Sequence, residues 1–478
     1  MVSIKRNFVY SSVLTTANYI FPLLTYPYAS RVLGVDRIGI CNFVDSIINY
    51  FILFSVMGIG IIGIREIARS KDNKEDLNKT FSSLFLLNTI STSLVLIVLI
   101  GAIFLVPKLQ AYKDMMWIGV LKLISNYLLI EWLYKGLEKF KLITYRTIIV
   151  RTLYVVSVFL FVREAADYKI YFLLLSLSIA LNAIFNCYYA KEFVQLTFRK
   201  VLVGKYCKSS LILGSYTLLT SMYTSFNVAY LGFVSNDTEV GYYTTATKLY
   251  SIFLSLFTAF TGVLLPRMSA LIAENNFYDF KILLRKSIKI LSCFSIPVII
   301  FCEIFAEEII HFISGNGYSG AIIPMRIVMP LLLIIGCEQI LVIQTLMPLK
   351  MDKAILINSI VGAFIGIILN VLLVANLQSI GTAIVWVSSE FFVLCCAQFF
   401  VWKKLSLLIP IKMLFKQIML NMPLVLLFFV ILSFDLSGIY TLLIAGFCLL
   451  LYSILIQIFV NKIIPFSLIL KIVPWISK

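Results

Sequence analysis

Charge is scarce in this chain of 478 residues: 13% of positions are charged and 61% are apolar. Soluble folds carry about 25% and about 45–50%. The excess apolar surface would have nothing to bury against in water, which excludes a soluble enzyme. Low charge and the lack of any short repeat also exclude disorder, collagen and coiled coil. The single histidine, His311, argues against metal-centred or imidazole-based acid–base chemistry and reads as an interfacial polar residue. Nine cysteines are scattered with no CxxC pair, so neither a disulfide framework nor a zinc site is supported. No GxxxxGK[ST] loop is present, which removes ATP hydrolysis by the chain itself, and no other cofactor is implied. Loops stay under roughly twenty residues, too short for a soluble catalytic domain.

What is present is a series of long apolar runs. A membrane helix needs about 20 mostly apolar residues to cross about 30 Å of hydrocarbon. Fourteen runs meet that standard: 8–30, 38–64, 81–106, 115–134, 144–162, 169–190, 209–233, 240–265, 288–310, 323–348, 354–375, 380–402, 418–434 and 438–460. The first, containing Pro22 and Pro27 and no small-residue cleavage site, reads as a retained helix and not a signal peptide. The chain is thus expected to be an all-α polytopic membrane protein. Of its 40 Lys and Arg, 30 fall in the tails and even-numbered loops or at their span edges, 6 in the odd-numbered loops or at theirs, and 4 deeper within spans. By the positive-inside rule this places both termini in the cytoplasm. It also accounts for the net charge of +17 without nucleic acid, since basic residues on one membrane face meet anionic lipid.

A long internal repeat is superimposed on the spans. Shifting 38–81 by 202 positions lays it without gaps on 240–283, with 7 of 44 positions identical: Gly39/Gly241, Phe51/Phe253, Gly60/Gly262, Arg65/Arg267, Ala68/Ala270, Asn73/Asn275 and Lys79/Lys281. Both copies run span, basic loop, span. The expected organisation is two six-span lobes, 1–200 and 201–402, with 403–478 adding two helices. An even number of spans per lobe makes the repeats parallel, a transporter design in which substrate binds between the halves.

Polar residues inside spans mark the helices expected to face that cleft. Thr244, Lys248, Ser251, Ser255, Thr258 and Gly262 recur at three- and four-residue spacing on one face of the eighth span. Ser11, Thr15, Asn18, Pro22 and Thr25 do so in the first, Gly214, Thr217, Ser221 and Thr224 in the seventh, and Asn42, Asp45, Ser46 and Asn49 lie in the second. Small and hydroxyl residues also line ordinary helix–helix contacts in membranes, so packing is the competing reading. Charges within spans are sharper, because each costs at least about 2.5–3.5 kcal/mol on insertion scales. The cations are Lys122, Arg151, Lys248 and Arg326, with Arg31 at a span end; the anions are Asp45, Glu131, Glu338 and Glu390. Lys248 is expected to be an anion ligand, the alternative being an ion pair with Asp45.

Several stretches resemble one family. SRVLGVDRIGICNFVDSIINYFILFSVMGIGIIGIREIA (30–68) is similar to the amino-terminal signature of bacterial Wzx-type O-antigen and capsule repeat-unit flippases, within the multidrug/oligosaccharidyl-lipid/polysaccharide exporter superfamily. EWLYKGLEKFKLITYR (131–146), VGYYTTATKLYSI (240–252), LLPRMSAL (264–271) and GAIIPMRIVMPLLLIIGCEQILVIQTLMPL (320–349) resemble later blocks in the right order. The resemblance spans about residues 5–402. It carries over Arg31, Gly34, Gly39, Arg65, Gly136, Gly241, Lys248 and Pro266, and departs at Lys135, where relatives often have glutamine, and at Asp45, where a small hydroxyl residue is usual.

The resemblance implies two six-helix lobes around a V-shaped, alternating-access cavity. Its implied substrate is an oligosaccharide repeat unit on an undecaprenyl diphosphate carrier, and its implied partners include membrane lipid and the pathway's polymerase and chain-length regulator. Lys248, Arg31 and Arg326 are then the expected diphosphate cations. Asn18, Asn42, Asn49, Thr217, Ser221, Thr244, Ser251 and Ser255 are the expected polar lining. Asp45, Glu131 and Glu390 are the candidates for ion coupling, since drive must come from product consumption or an ion gradient. A cell-wall lipid-precursor flippase and a cation-coupled drug antiporter of the same superfamily are the alternatives. A membrane-embedded polymerase or acyltransferase is opposed by the lone histidine and the lack of a large outer loop.

Overall fold

A computed structural model of the chain describes residues 4–197, 201–434 and 436–461. The side chains of Ser11, Thr15 and Asn18 in the first-span stripe lie outside the described residues. All regular structure among the described residues is helical, as hydrocarbon demands, because each backbone N–H and C=O must be satisfied within its own segment. Large apolar side chains face outward, with Leu94, Ile97 and Leu105 being 61%, 68% and 81% exposed. Such a surface suits lipid and not water. The chain is a multi-pass membrane protein.

Ten segments among the described residues are long and apolar enough to cross a bilayer, against fourteen expected spans. Two of the ten, Ile20–Ser70 and Asp352–Leu405, run for 51 and 54 residues. At about 1.5 Å per residue each is more than twice the thickness of a hydrocarbon core of about 30 Å. Both are broken inside, at Gly34 (φ 78°) and at Gln378 (φ 49°), so they hold four of the expected spans. The remaining two, 209–233 and 240–265, are helical as well, in α9, α10 and α11.

The chain divides into two compact units. The first comprises Met1–Thr244 and Gly366–Thr382. It holds α1 (Ile4–Val56), α2 (Ile59–Ser70), α3 (Lys74–Leu105), α4 (Pro107–Gln110), α5 (Lys113–Leu128), α6 (Glu131–Gly136), α7 (Phe140–Phe161), α8 (Tyr168–Phe193), α9 (Val203–Thr224), α10 (Phe226–Val234) and the first turns of α11 (Asp237–Ala273). The second unit comprises Thr245–Ile365 and Ala383–Lys478. It holds the rest of α11, then α12 (Phe277–Ile304), α13 (Ala306–Ser314), α14 (Ile322–Val328), α15 (Leu331–Leu341), most of α16 (Asp352–Leu369) and α17 (Ala375–Leu405), α18 (Ile411–Leu420), α19 (Met422–Leu432) and α20 (Gly438–Phe459).

Two expected span boundaries move. The second span was expected unbroken over 38–64, but the chain turns at Met57 (φ 40°) and Gly58 (φ 80°) and restarts as α2. Ser210 donates to the Met57 carbonyl at 2.5 Å, satisfying the acceptor there. Ile62 and Ile67 of α2 then pack with Leu84, Leu133 and Tyr134 in the buried cluster of the first unit. The thirteenth span, expected over 418–434, starts at Ile411, where α18 precedes α19. Gln417 on α18 is buried and donates to Asn461 Oδ1 at 2.8 Å, so this polar side chain has a partner inside the helix packing. In the second unit, Phe280, Leu284 and Leu291 of α12 pack with Cys337 and Ile340 of α15.

The 202-residue repeat has a direct counterpart in the first unit. Thr238 donates to Asp36 Oδ1, Asn42 Nδ2 donates to Thr244 Oγ1 at 3.1 Å, and Gly39 lies against Gly241 and Asp237. Each pair, 36/238, 39/241 and 42/244, is 202 positions apart. Equivalent positions meet one another where two copies are related by a two-fold axis through the contact. The crossing is tight: a Cβ on Gly39 would overlap the Asp237 carbonyl, and one on Gly241 the Val35 carbonyl. Glycine at both places lets the backbones approach.

Candidate functional site

The most developed polar site lies in the first unit, on the 35–56 stretch of α1 and on α5. Asp45 and Asn49 are one turn apart and share a helix face. Asn49 Nδ2 donates to Asp45 Oδ2 at 2.9 Å, and Lys122 Nζ donates to Asp45 Oδ1 at 2.5 Å and to Asn49 Oδ1 at 2.8 Å. Lys122 is 5% exposed. Asp45 is half-buried and Asn49 is exposed, so the amide and carboxylate stand in front of a buried ammonium. Within the first unit, a cation that reaches Asp45 is Lys122. Gly119 explains this, because it allows α5 to close onto Ile48 of α1 and brings Lys122, one turn on, to the same interface.

Asn49 also lines a cavity of 280 Å³ with Ile52, Leu53, Val56, Met57 and Thr217 among its walls. Two residues of the expected lining, Asn49 and Thr217, therefore share one cavity. Two more are joined in the Asn42–Thr244 bond, and Ser221 is tied in through its carbonyl, which accepts from Tyr50 Oη at 2.8 Å. The hydroxyls of Thr217, Ser221, Ser251 and Ser255 donate to carbonyls of their own helices at 2.6–2.8 Å and 2.9 Å. Back-bonding of this kind leaves the oxygen lone pairs free to accept. Ser251 is exposed and Ser255 buried.

The other charges fall into separate places. Arg31 is exposed on α1, just before the Gly34 break, in the first unit. In the second unit Lys248 is half-buried on α11, and Arg326 is exposed on α14, its Nε donating to the Glu303 carbonyl at 3.1 Å. Glu131 is doubly paired, to Lys135 at 2.9 Å and Arg146 at 3.0 Å. Arg146, which the sequence assigned to a loop, is buried on α7 and also donates to Asn186 Oδ1 on α8. Its proximity to Glu131 in space has no signature in spacing. Glu390 is 3% exposed and accepts from Trp386 Nε1 at 3.2 Å, near enough to Glu338 for the two carboxyl groups to interact electrostatically. Between the expected spans, Tyr112 Oη donates to both Asp237 oxygens at 2.7 and 2.8 Å. Burial, and then the adjacent carboxylate, hold that hydroxyl well above its ordinary pKa, so it remains a donor. No group of three or more His, Cys, Asp or Glu placed to hold a metal ion occurs among the described residues.

Solved structures of membrane transporters share this lipid-facing helical fold. The lipid II flippase MurJ in an inward closed conformation matches with a TM-score of 0.71 at 18% identity, over 96% of this chain and 100% of that one. An inward-facing multidrug resistance MATE family transporter of the MOP superfamily matches with a TM-score of 0.67 at 15% identity, over 81% and 94%. The chain belongs to the family described as polysaccharide biosynthesis protein, whose model matches residues 4–272. A protein of Escherichia coli (strain K12) named "Putative O-antigen transporter" is 27% identical over 399 residues, 81% of this chain and 94% of that protein.

Proposed function

We propose that the chain flips undecaprenyl-diphosphate-linked oligosaccharide repeat units from the cytoplasmic to the outer leaflet of the bacterial inner membrane, for assembly of O-antigen, capsule or exopolysaccharide. The supporting observation is a hydrogen-bonding cluster of Asp45, Asn49 and Lys122, reaching the wall of a cavity through Asn49, within a membrane fold of the polysaccharide biosynthesis family. A repeat unit carries many hydroxyls, each costing several kcal/mol if left unpaired in hydrocarbon. Polar side chains along the transport path remove that cost while the polyprenyl tail stays in lipid. In this reading the lobes 1–200 and 201–402 rock to expose the site to each side in turn, with 403–478 adding two helices and both termini cytoplasmic. Lys248, Arg31 and Arg326 supply charge-assisted hydrogen bonds to the diphosphate, and Glu131 and Glu390 are candidates for ion coupling. The pathway's polymerase and chain-length regulator receive the product.

The test is leaflet-resolved detection of carrier-linked glycan in cells with and without the protein. Glycan trapped on the cytoplasmic face, with surface polysaccharide lost, is expected. An unchanged glycan distribution overturns the reading. Trapped cell-wall precursor in its place would assign the chain to the lipid-precursor flippases, the alternative favoured by the fold it shares with MurJ. Altered resistance to cationic compounds would assign it to the drug antiporters.

A further inference from the structure

The Asp45–Asn49–Lys122 cluster holds more than a helix contact requires. An ionised carboxylate offers about four lone-pair sites, and Asp45 uses one on each oxygen, for Lys122 and for Asn49. Asn49 uses one amide N–H and one carbonyl lone pair, leaving a second N–H and a second lone pair on an exposed side chain at the cavity wall. The order of burial runs from ammonium to carboxylate to amide. Both outer members are therefore held in place with spare hydrogen-bonding capacity and Asn49 faces open space, while the apolar walls formed by Ile52, Leu53 and Val56 suit the C–H faces of a sugar ring.

Two other roles fit less well. As a cation-coupling site, Asp45 would have to give up the ammonium that already offsets its charge at 2.5 Å. As a stability device the pair is inefficient, because replacing a buried ion pair with apolar side chains of similar volume is often neutral or stabilising. Repeat-equivalent positions carry no such pair: Asp45 corresponds to Thr247 and Asn49 to Ser251.

We propose that Asp45 and Asn49 are sugar-contacting, specificity-determining residues that hydrogen-bond hydroxyl or acetamido groups of the repeat unit, and that Lys122 is the positioning residue behind them. This rests on the flippase reading and names the part of its site that distinguishes one glycan from another.

The experiment uses purified full-length protein in nanodiscs, titrated with carrier-linked glycan isolated from the producing cells and, separately, with sugar-free undecaprenyl diphosphate. Asn49→Ala and Asp45→Ser should weaken glycan-carrier binding at least tenfold while leaving binding of the sugar-free carrier within twofold. The exchanged pair Asp45→Lys with Lys122→Asp preserves an ion pair between the same helices. It should restore thermal stability and membrane level relative to Lys122→Met, and should leave glycan affinity low. Restored glycan affinity in the exchanged pair, or equal losses for both carriers, overturns the proposal in favour of a structural role. Asn49→Ala leaves no charge unpaired, so unchanged glycan binding in that variant overturns it independently of any folding defect. Failure of the flippase reading looks different: removing the whole protein would leave the leaflet distribution of glycan unaltered.

Discussion

In the first unit the carboxylates Asp45 and Glu131 come with counter-ions; in the second, among the described residues, Glu338 and Glu390 do not. Asp45 has Lys122, and Glu131 has Lys135 and Arg146. Glu390 has only the Trp386 indole, and among the described residues neither it nor Glu338 forms an ion pair. Coulomb attraction in a low-dielectric interior repays desolvation only when geometry is good and remaining polar groups are bonded. The first unit meets that condition with cross-helix partners on α1, α5, α6, α7 and α8. The second places carboxyl groups where a change of partner or protonation state has little to displace. The contrast is thus between a fixed polar surface in the first unit and the Glu338 and Glu390 carboxyl groups of the second.

Five substitutions would break or sharpen this contrast. The largest effect is expected from Lys122→Met, which strands Asp45 and should destabilise the protein by about 3–5 kcal/mol, read from unfolding in SDS; adding Asp45→Ser should recover most of the loss. A near-neutral Lys122→Met would mean the first unit does not depend on its counter-ion. Next, Gly39→Val forces a side chain into the Asp237 carbonyl and should cost at least the roughly 1–3 kcal/mol of overpacking. Gly262→Ala in the second unit meets nothing within 4 Å and should change stability by less than about 0.5 kcal/mol. Asn42→Ala removes the side-chain bond to Thr244 and should cost about 1 kcal/mol, seen as a small drop in melting temperature. Glu390→Gln is expected to stay within about 1 kcal/mol of the parent because the amide oxygen can still accept from Trp386. A loss as large as that of Lys122→Met would reveal a counter-ion for Glu390 and erase the contrast.

Much of the architecture was legible in the sequence because hydrocarbon leaves the backbone few choices. Apolar runs of the right length had to be helices, and the fourteen expected ranges fall on helical segments. The boundaries that moved lie where side chains made the difference. Met57 and Gly58 end a helix within an unbroken apolar run, and α18 begins where Lys412, Lys416 and Gln417 looked like loop. The repeat was legible as a shift of 202, and that same shift separates the residues that touch across the Gly39–Gly241 crossing.

Of the candidate site, residue types were readable and partnerships were not. Asp45, Asn49 and Lys122 each stood out as polar residues in apolar spans, because burying such groups is costly wherever they sit. That Lys122 serves Asp45, and that Arg146 turns to Glu131, depends on which helices approach each other and at what depth. Composition and periodicity determined a many-spanning helical membrane protein with a duplicated plan, since transfer energies act on each segment by itself. Only the tertiary structure decided which buried charges are neutralised, because ion pairing depends on ångström-scale distances between residues as far apart as 45 and 122 in sequence.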